Sequence, residues 1–326
     1  MTTYRQAKGY RIRSVASDPD NPKEGQVWYN RTSKTLKGRY SFSDSWSSGG
    51  NLNTGRNSAA GAGTQTAALF FGGQYDPNAL GLTEEYNGSS WTESGDLNQV
   101  RVYLGGTGSQ TAGLAAGGRN TGPPGPESSN VEEYNGSSWT NVTALPKAIR
   151  TGRYCGPQTA ALGAGGYHGY YPGSAIDDTL EYDGSSWTTG GDLNNAGEWG
   201  GIAGTQTAAV IAGLYPTNGI TEEYNGSSWS SANPMGSGRY FIGTFGTQTS
   251  AVFAGGGAGS KSNCERYDGT NWTATTPLTV GRRLLEGGIL APSEAGVVFG
   301  GVGTNKDDAT EEFTGAFSAS ESFDVS

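Results

Sequence analysis

Histidine is the usual proton carrier and metal ligand near neutral pH, and this chain has one, His168. It stands in YHGYYPGSAIDD, which starts at Tyr167 and also carries Tyr170, Tyr171, Asp177 and Asp178. A nucleophile, imidazole and acid triad would have to rest on His168, and nothing near it supplies the partners such chemistry needs. Paired carboxylates occur at Glu84-Glu85, Glu132-Glu133 and Glu222-Glu223, and arginines at Arg56, Arg101, Arg150, Arg239 and Arg282. Both sets recur at equivalent places along the chain, whereas an active site on a pseudo-symmetric body is asymmetric. Ion pairs between neighbouring repeats and an anion-binding mouth are the two roles open to them. Cys155 and Cys264 lie far apart without CxxC spacing, so neither a disulfide framework nor a zinc site is indicated. No catalytic residue, metal or cofactor is expected. The Tyr167 segment, with His168, Tyr170, Tyr171, Asp177 and Asp178, is the candidate binding loop, since tyrosines stack on sugar faces or bury in protein interfaces. A loop folded back on its own repeat is the alternative.

The elements that carry these residues repeat. YNGSSWT begins at Tyr86 and Tyr134, with variants at Tyr182, Tyr224 and Tyr267, and FTGAF from Phe313 to Phe317 is a degraded sixth copy. A second segment, TQTAALFFGG from Thr64, is echoed from Ser109, Pro157, Thr205, Thr247 and Ser293. Two independent counts give six. The spacings between Trp46, Trp91, Trp139, Trp187, Trp229 and Trp272 are 45, 48, 48, 42 and 43 residues. A period in the forties with four short strand candidates is the blade of a β-propeller. In the second unit the strands are read near 101–105 (a), 110–116 (b), 131–134 (c) and 138–141 (d). The six tryptophans are core residues, wedged between blades. Sequons such as Asn87-Gly-Ser read as hairpin turns, because Asn-Gly favours φ > 0.

A double glycine closing strand b, followed by Tyr and then Trp, resembles the kelch pattern. Gly72-Gly73, Gly117-Gly118, Gly165-Gly166, Gly255-Gly256 and Gly300-Gly301 carry it; the fourth unit departs with Ala212-Gly213. The resemblance implies an all-β, six-bladed kelch-like propeller over 49–326, preceded by a basic extended arm (1–24) and a β-hairpin or linker strand (25–48). Trp46 either completes the last blade, fastening the ring, or belongs to a separate hairpin. The d-to-a and b-to-c connections emerge on one face, and their variable lengths mark it as the binding face.

Formal charge is −9, but residues 1–40 hold nine Lys/Arg against three acids, a balance of +6, and the rest holds −15. An acidic body disfavours nucleic acid. The basic arm, with Arg5, Lys8, Arg11 and Arg13, suits docking on an acidic partner, a sister copy included. No stretch approaches a membrane span, and MTTYRQAKGYRIR has no apolar leader core. NPKEGQVWYN…TLKGRY resembles a short β module of structural and tail-fibre proteins in tailed, especially marine, bacteriophages, as does the array of EYNGSSW and GTQTA units. That resemblance implies a non-enzymatic virion protein, assembled in the host cytoplasm as a homo-oligomer on the particle. Its arm would anchor to virion proteins or sister subunits, and its repeats would contact protein or host-surface glycan. A lectin and a glycan-cleaving enzyme using Asp177 and Asp178 are the other two readings.

Overall fold

The computed structural model describes residues 12–20, 23, 26–75, 77–120, 126–169, 173–303 and 308–323, and none of these is helical. The chain divides into two compact units: Trp46–Thr314, and a smaller one of Met1–Ser45 with Gly315–Ser326.

Among the described residues the larger unit holds six four-stranded sheets, each ordered a-b-c-d, with a, b and c antiparallel throughout and d antiparallel to c in the first five. Sheet I is Ala60–Thr64, Ala67–Phe71, Thr83–Tyr86 and Trp91–Ser94. Sheet II is Gly105–Ser109, Ala112–Ala116, Val131–Tyr134 and Trp139–Val142; sheet III is Arg153–Cys155, Ala161–Ala164, Thr179–Tyr182 and Trp187–Thr189. Sheet IV is Gly201–Thr205, Ala208–Ala212, Thr221–Tyr224 and Trp229–Ala232; sheet V is Gly243–Thr247, Ser250–Ala254, Cys264–Tyr267 and Trp272–Thr275. Sheet VI takes Glu286–Gly287, Ala295–Phe299 and Thr310–Thr314 from one end of the chain and Ser45–Ser48 from the other. Each strand a packs against strand a of the next sheet, and that of sheet VI returns to sheet I, closing the circuit.

The polar residues of the repeat are consumed in joining these sheets. The amide of Gln110 donates to the carbonyls of Ala68 and Tyr86 in the preceding sheet, and Gln65, Gln158, Gln206 and Gln248 repeat the stitch. The Tyr of strand c donates its hydroxyl to the second acid of the preceding sheet: Tyr86 to Glu312, Tyr134 to Glu85, Tyr182 to Glu133, Tyr224 to Glu181 and Tyr267 to Glu223. Burial first, and then the neighbouring carboxylate, pushes the phenols of Tyr86, Tyr134 and Tyr224 up to about 12, so they stay protonated donors. Where sheet VI has Phe313 in place of Tyr, sheet V has Arg266 in place of the acid, with its guanidinium 5.7 Å from the Phe313 ring. The Trp indoles follow the same logic. Trp91, Trp139, Trp229 and Trp272 donate to Thr310, Thr83, Thr179 and Thr221 of the preceding sheet. Trp187 and Trp46, which follow Val131 and Cys264 where the others have Thr, donate instead to the carbonyls of Thr143 and Thr276.

Each of these tryptophans lies opposite the aromatic of strand c, with ring centroids 4.7–5.0 Å apart, an arrangement worth about 1 kcal/mol beyond area burial. Trp46, Trp91, Trp139 and Trp229 are buried, while Trp187 and Trp272 are half-buried.

Several expectations need correction. Strand a of sheet II is Gly105–Ser109, not 101–105. GGTGS has poor intrinsic strand preference, yet a Cβ at Gly105 would come within 2.2 Å of the Tyr154 ring, so the crowded inner edge requires glycine. The repeat body runs from 46 to 314 instead of 49 to 326. Phe317 is not the outer aromatic of the sixth unit: Trp46 holds that place, and Phe317–Phe323 pairs with Thr35–Phe42 in the smaller unit.

The smaller unit is one sheet ordered Arg13–Val15, Val27–Asn30, Thr35–Phe42, Phe317–Phe323. Residues 13–15 are therefore a strand, parallel to Val27–Asn30, which corrects the extended arm through residue 24. Asp18 ties the unit together by accepting from Trp28 Nε1, Asn30 Nδ2 and Lys37 Nζ. These bonds, Lys37 foremost, hold its carboxyl down at about 2.

Candidate functional site

The recurrent arginines and first acids pair within a sheet, not between neighbours. Arg56 bonds Glu84, Arg101 bonds Glu132 at 2.8 Å, Arg239 bonds Glu265, and Arg282 bonds Glu311 at 2.9 Å. All four guanidiniums are fully buried, and each carboxylate also accepts backbone N–H groups of the segment entering strand a, as Glu84 does from Asn53 and Thr54. In sheet IV, where Gly197 replaces the arginine, the Asn194 and Asn195 side chains satisfy Glu222. The Nε of Arg101 and of Arg282 has no partner, but all four guanidiniums are enclosed, and these pairs anchor the connections.

Arg150 is the exception. Sheet III reads Thr179-Leu180-Glu181 where all the others have Glu at the middle position, so the first acid is missing, and Ile149 occupies the arginine position. The register is set by one non-glycine residue per repeat with positive φ just before strand a: Ser58, Tyr103, Thr151, Trp199, Phe241 and Leu284, at 56–62°. Their backbones link successive sheets around one end of the inner strands. Tyr103 N donates to Ser58 O, Thr151 N to Tyr103 O, Phe241 N to Trp199 O and Leu284 N to Phe241 O. Between sheets III and IV the link is a side chain, Thr151 Oγ1 donating to Glu198 at 2.9 Å. Five such links join the six sheets, and a hexagon with sides of about 5 Å measures about 10 Å from backbone to opposite backbone.

The rim is where the repeats stop resembling one another. Before the positive-φ residue stand Asn57, Val102, Arg150, Glu198, Tyr240 and Arg283, and across from them Gln74, Arg119, Tyr167, Tyr215, Gly257 and Val302. Strand positions that hold the sheets together stay nearly constant along the chain, while each of these two places holds five residue types across six repeats.

Two clusters result. In the first, Arg150 bridges Glu127 and Glu198 at 3.3 Å each, and its guanidinium lies 3.9 Å from the centroid of the Tyr167 ring. Burial raises the carboxyl of Glu198, opposed by Arg150 and Thr151. Burial, and then Arg150, lowers the guanidinium of Arg119 beside it. In the second, Trp199, Tyr215, Tyr240 and Phe241 pack with centroids 4.6–6.2 Å apart, and Tyr215 is 41% exposed. Beneath the rim the axis is shut. Arg153 of sheet III reaches Glu286 of sheet VI, three sheets away by either route, at 3.0 Å, beside a cavity of about 10 Å³. That is room for one water at most.

Of the candidate loop, Tyr167 joins the rim and His168 Nδ1 lies 2.6 Å from the Ala148 carbonyl. Asp178 pairs with Lys147, and Asp177 is exposed. Tyr170 and Tyr171 fall outside the described residues, as do Arg5, Lys8 and Arg11 of the arm; Arg13 is an exposed strand residue. Among the described residues no cluster of His, Cys, Asp and Glu could hold a metal ion. Sequence reasoning missed Glu127, Glu198, Trp199, Tyr215 and Tyr240. The signal available was Leu180, whose lost carboxylate frees the nearby arginine.

No protein-family model matches the chain, and no curated protein does. Among solved structures, that of YjhT aligns with a TM-score of 0.65 at 13% identity, covering 82% of this chain and 99% of that one. The larger unit is a β-propeller. Its rim is thus the mouth of a propeller axis, a place where such scaffolds present loops to ligands.

Proposed function

We propose that the chain is a six-bladed, kelch-like propeller serving as a non-enzymatic adhesion module of a virion, and that its axial mouth contacts a host-surface glycan. The observation that carries the reading is the internal comparison of the repeats: the positions that vary most from repeat to repeat converge on one rim. The partly exposed Tyr215 and its aromatic neighbours offer the apolar platform that sugar faces stack on, beside the charged groups of Arg150 and Glu198. The virion setting draws its support from the likeness of the N-terminal module to phage structural proteins and from the opposed charges of residues 1–40 and the rest. In this reading the basic N-terminal residues dock on virion proteins or sister copies.

Glycan-array screening of the whole chain, alongside Tyr215→Ala and Tyr240→Ala, tests the mouth. Signals on a restricted glycan set that both variants abolish support it; uniformly blank arrays refute it. Deletion of residues 1–11 keeps the Arg13–Val15 strand and Asp18, and is expected to leave a folded protein that no longer enters particles. Undiminished incorporation would refute the anchoring role.

A further inference from the structure

The mouth carries three arginines, and they differ in what they are bonded to. Arg150 is neutralised twice, by Glu127 and Glu198. Arg119 makes no side-chain hydrogen bond or ion pair among the described residues, and its Nε is buried without a partner. Arg283 donates to one carbonyl, that of Ala258, and faces the Phe241 ring at 6.0 Å, with no acid in reach among the described residues. Arg119 stands on the sheet II segment and Arg283 on that of sheet VI, flanking sheet I, whose rim residues are the neutral Asn57 and Gln74. Beyond the N-terminal residues the chain carries a balance of −15, so an arc of two uncommitted guanidiniums and two amides runs against the charge of its surroundings. The aromatic cluster occupies the opposite arc, on sheets IV and V.

From this juxtaposition we propose that the glycan taken at the mouth is anionic, bearing a carboxylate or sulfate that Arg119 and Arg283 receive while a sugar face rests on Tyr215. The inference rests on the mouth being a glycan site and adds the ligand's charge. A planar guanidinium matches either oxyanion through paired N–H donors, and an uncommitted one does so without first breaking an ion pair. Amide side chains between them satisfy hydroxyls and add no repulsion.

Calorimetric titration of the full chain tests it with a uronate oligosaccharide, its carboxyl-reduced counterpart and a sulfated oligosaccharide, each at low and raised ionic strength. The acidic ligands are expected to bind about tenfold or more tighter than the reduced one, with the preference shrinking as salt rises. Arg119→Met and Arg283→Met should each remove about tenfold of that preference, costing the acidic ligands far more affinity than the reduced one. Neither guanidinium is part of a buried pair, so both variants should fold, as circular dichroism will show. Equal binding of acidic and reduced ligands, abolished by Tyr215→Ala, overturns the anionic assignment and leaves the mouth reading standing. Acidic preference unchanged in both arginine variants also overturns it. Binding of an acidic, aromatic peptide with no saccharide binding overturns both.

Discussion

If Ser45–Ser48 is the outer strand of sheet VI, Trp46 must be as important to the larger unit as any tryptophan made within a repeat. Its indole is 9% exposed, touches Phe313 at 4.9 Å and Phe245 at 6.2 Å between centroids, and donates to Thr276 O at 2.9 Å. Trp46→Ala removes a buried aromatic, which costs about 3–5 kcal/mol in a well-packed site. Trp46→Phe keeps most of the apolar area and loses the N–H, for about 1 kcal/mol. Truncation after residue 314 removes the strand that pairs with Thr35–Phe42 and should move the larger unit's unfolding by less than either. Urea unfolding followed by tryptophan fluorescence suits the test, because seven of the eight tryptophans lie between 46 and 314. The reasoning fails if Trp46→Ala shifts stability no more than a surface change, about 0.5 kcal/mol, or if the truncation proves the more damaging.

The Arg266 and Phe313 exchange predicts that Arg266→Glu and Phe313→Tyr each destabilise alone, and that the double variant recovers about 1–2 kcal/mol by restoring the bond made in the other sheets; a cycle with no coupling refutes the pairing. Asp18 is held at about 2 in the folded state against 3.8, so its contribution is present above about pH 4 and lost as pH falls through about 2. Asp18→Asn should therefore destabilise the smaller unit at neutral pH, with the difference shrinking toward pH 2, read from the indole N–H resonance of the buried Trp28.

The periodicity made the strands and their order readable because the same Gln, Tyr and Trp must meet the preceding sheet each time, so selection for assembly writes itself repeatedly into one chain. Strand a of sheet II escaped because its glycines are demanded by the Tyr154 ring across the inner edge, a tertiary cause invisible locally. Arg150 looked like its counterparts by spacing from the strand b glutamine, and a shift of one residue concealed that Ile149 holds the buried place. Tyr215 and Glu198 carried no motif. They become a site only when strands far apart in sequence bring their flanking residues to one rim. The Tyr167 loop drew notice for its composition, yet of its described residues it brings to the rim chemistry the Tyr167 ring and the Gly169 N–H, which donates to Glu127.

Sheet VI has a temporal consequence. Its outer strand is made before the other five sheets and its other three strands after them, with the Trp46 indole bonding 230 positions away. Five sheets can form one after another as the chain emerges, each covering the face of its predecessor. The first keeps an open face, and Ser45–Ser48 an unpaired edge, until residue 314 has left the ribosome. Pairings of such long range are slow to find. For much of synthesis the nascent protein therefore carries a vacant docking place at each end, and the lowest-cost error open to it is to close on a neighbour's strand instead of its own.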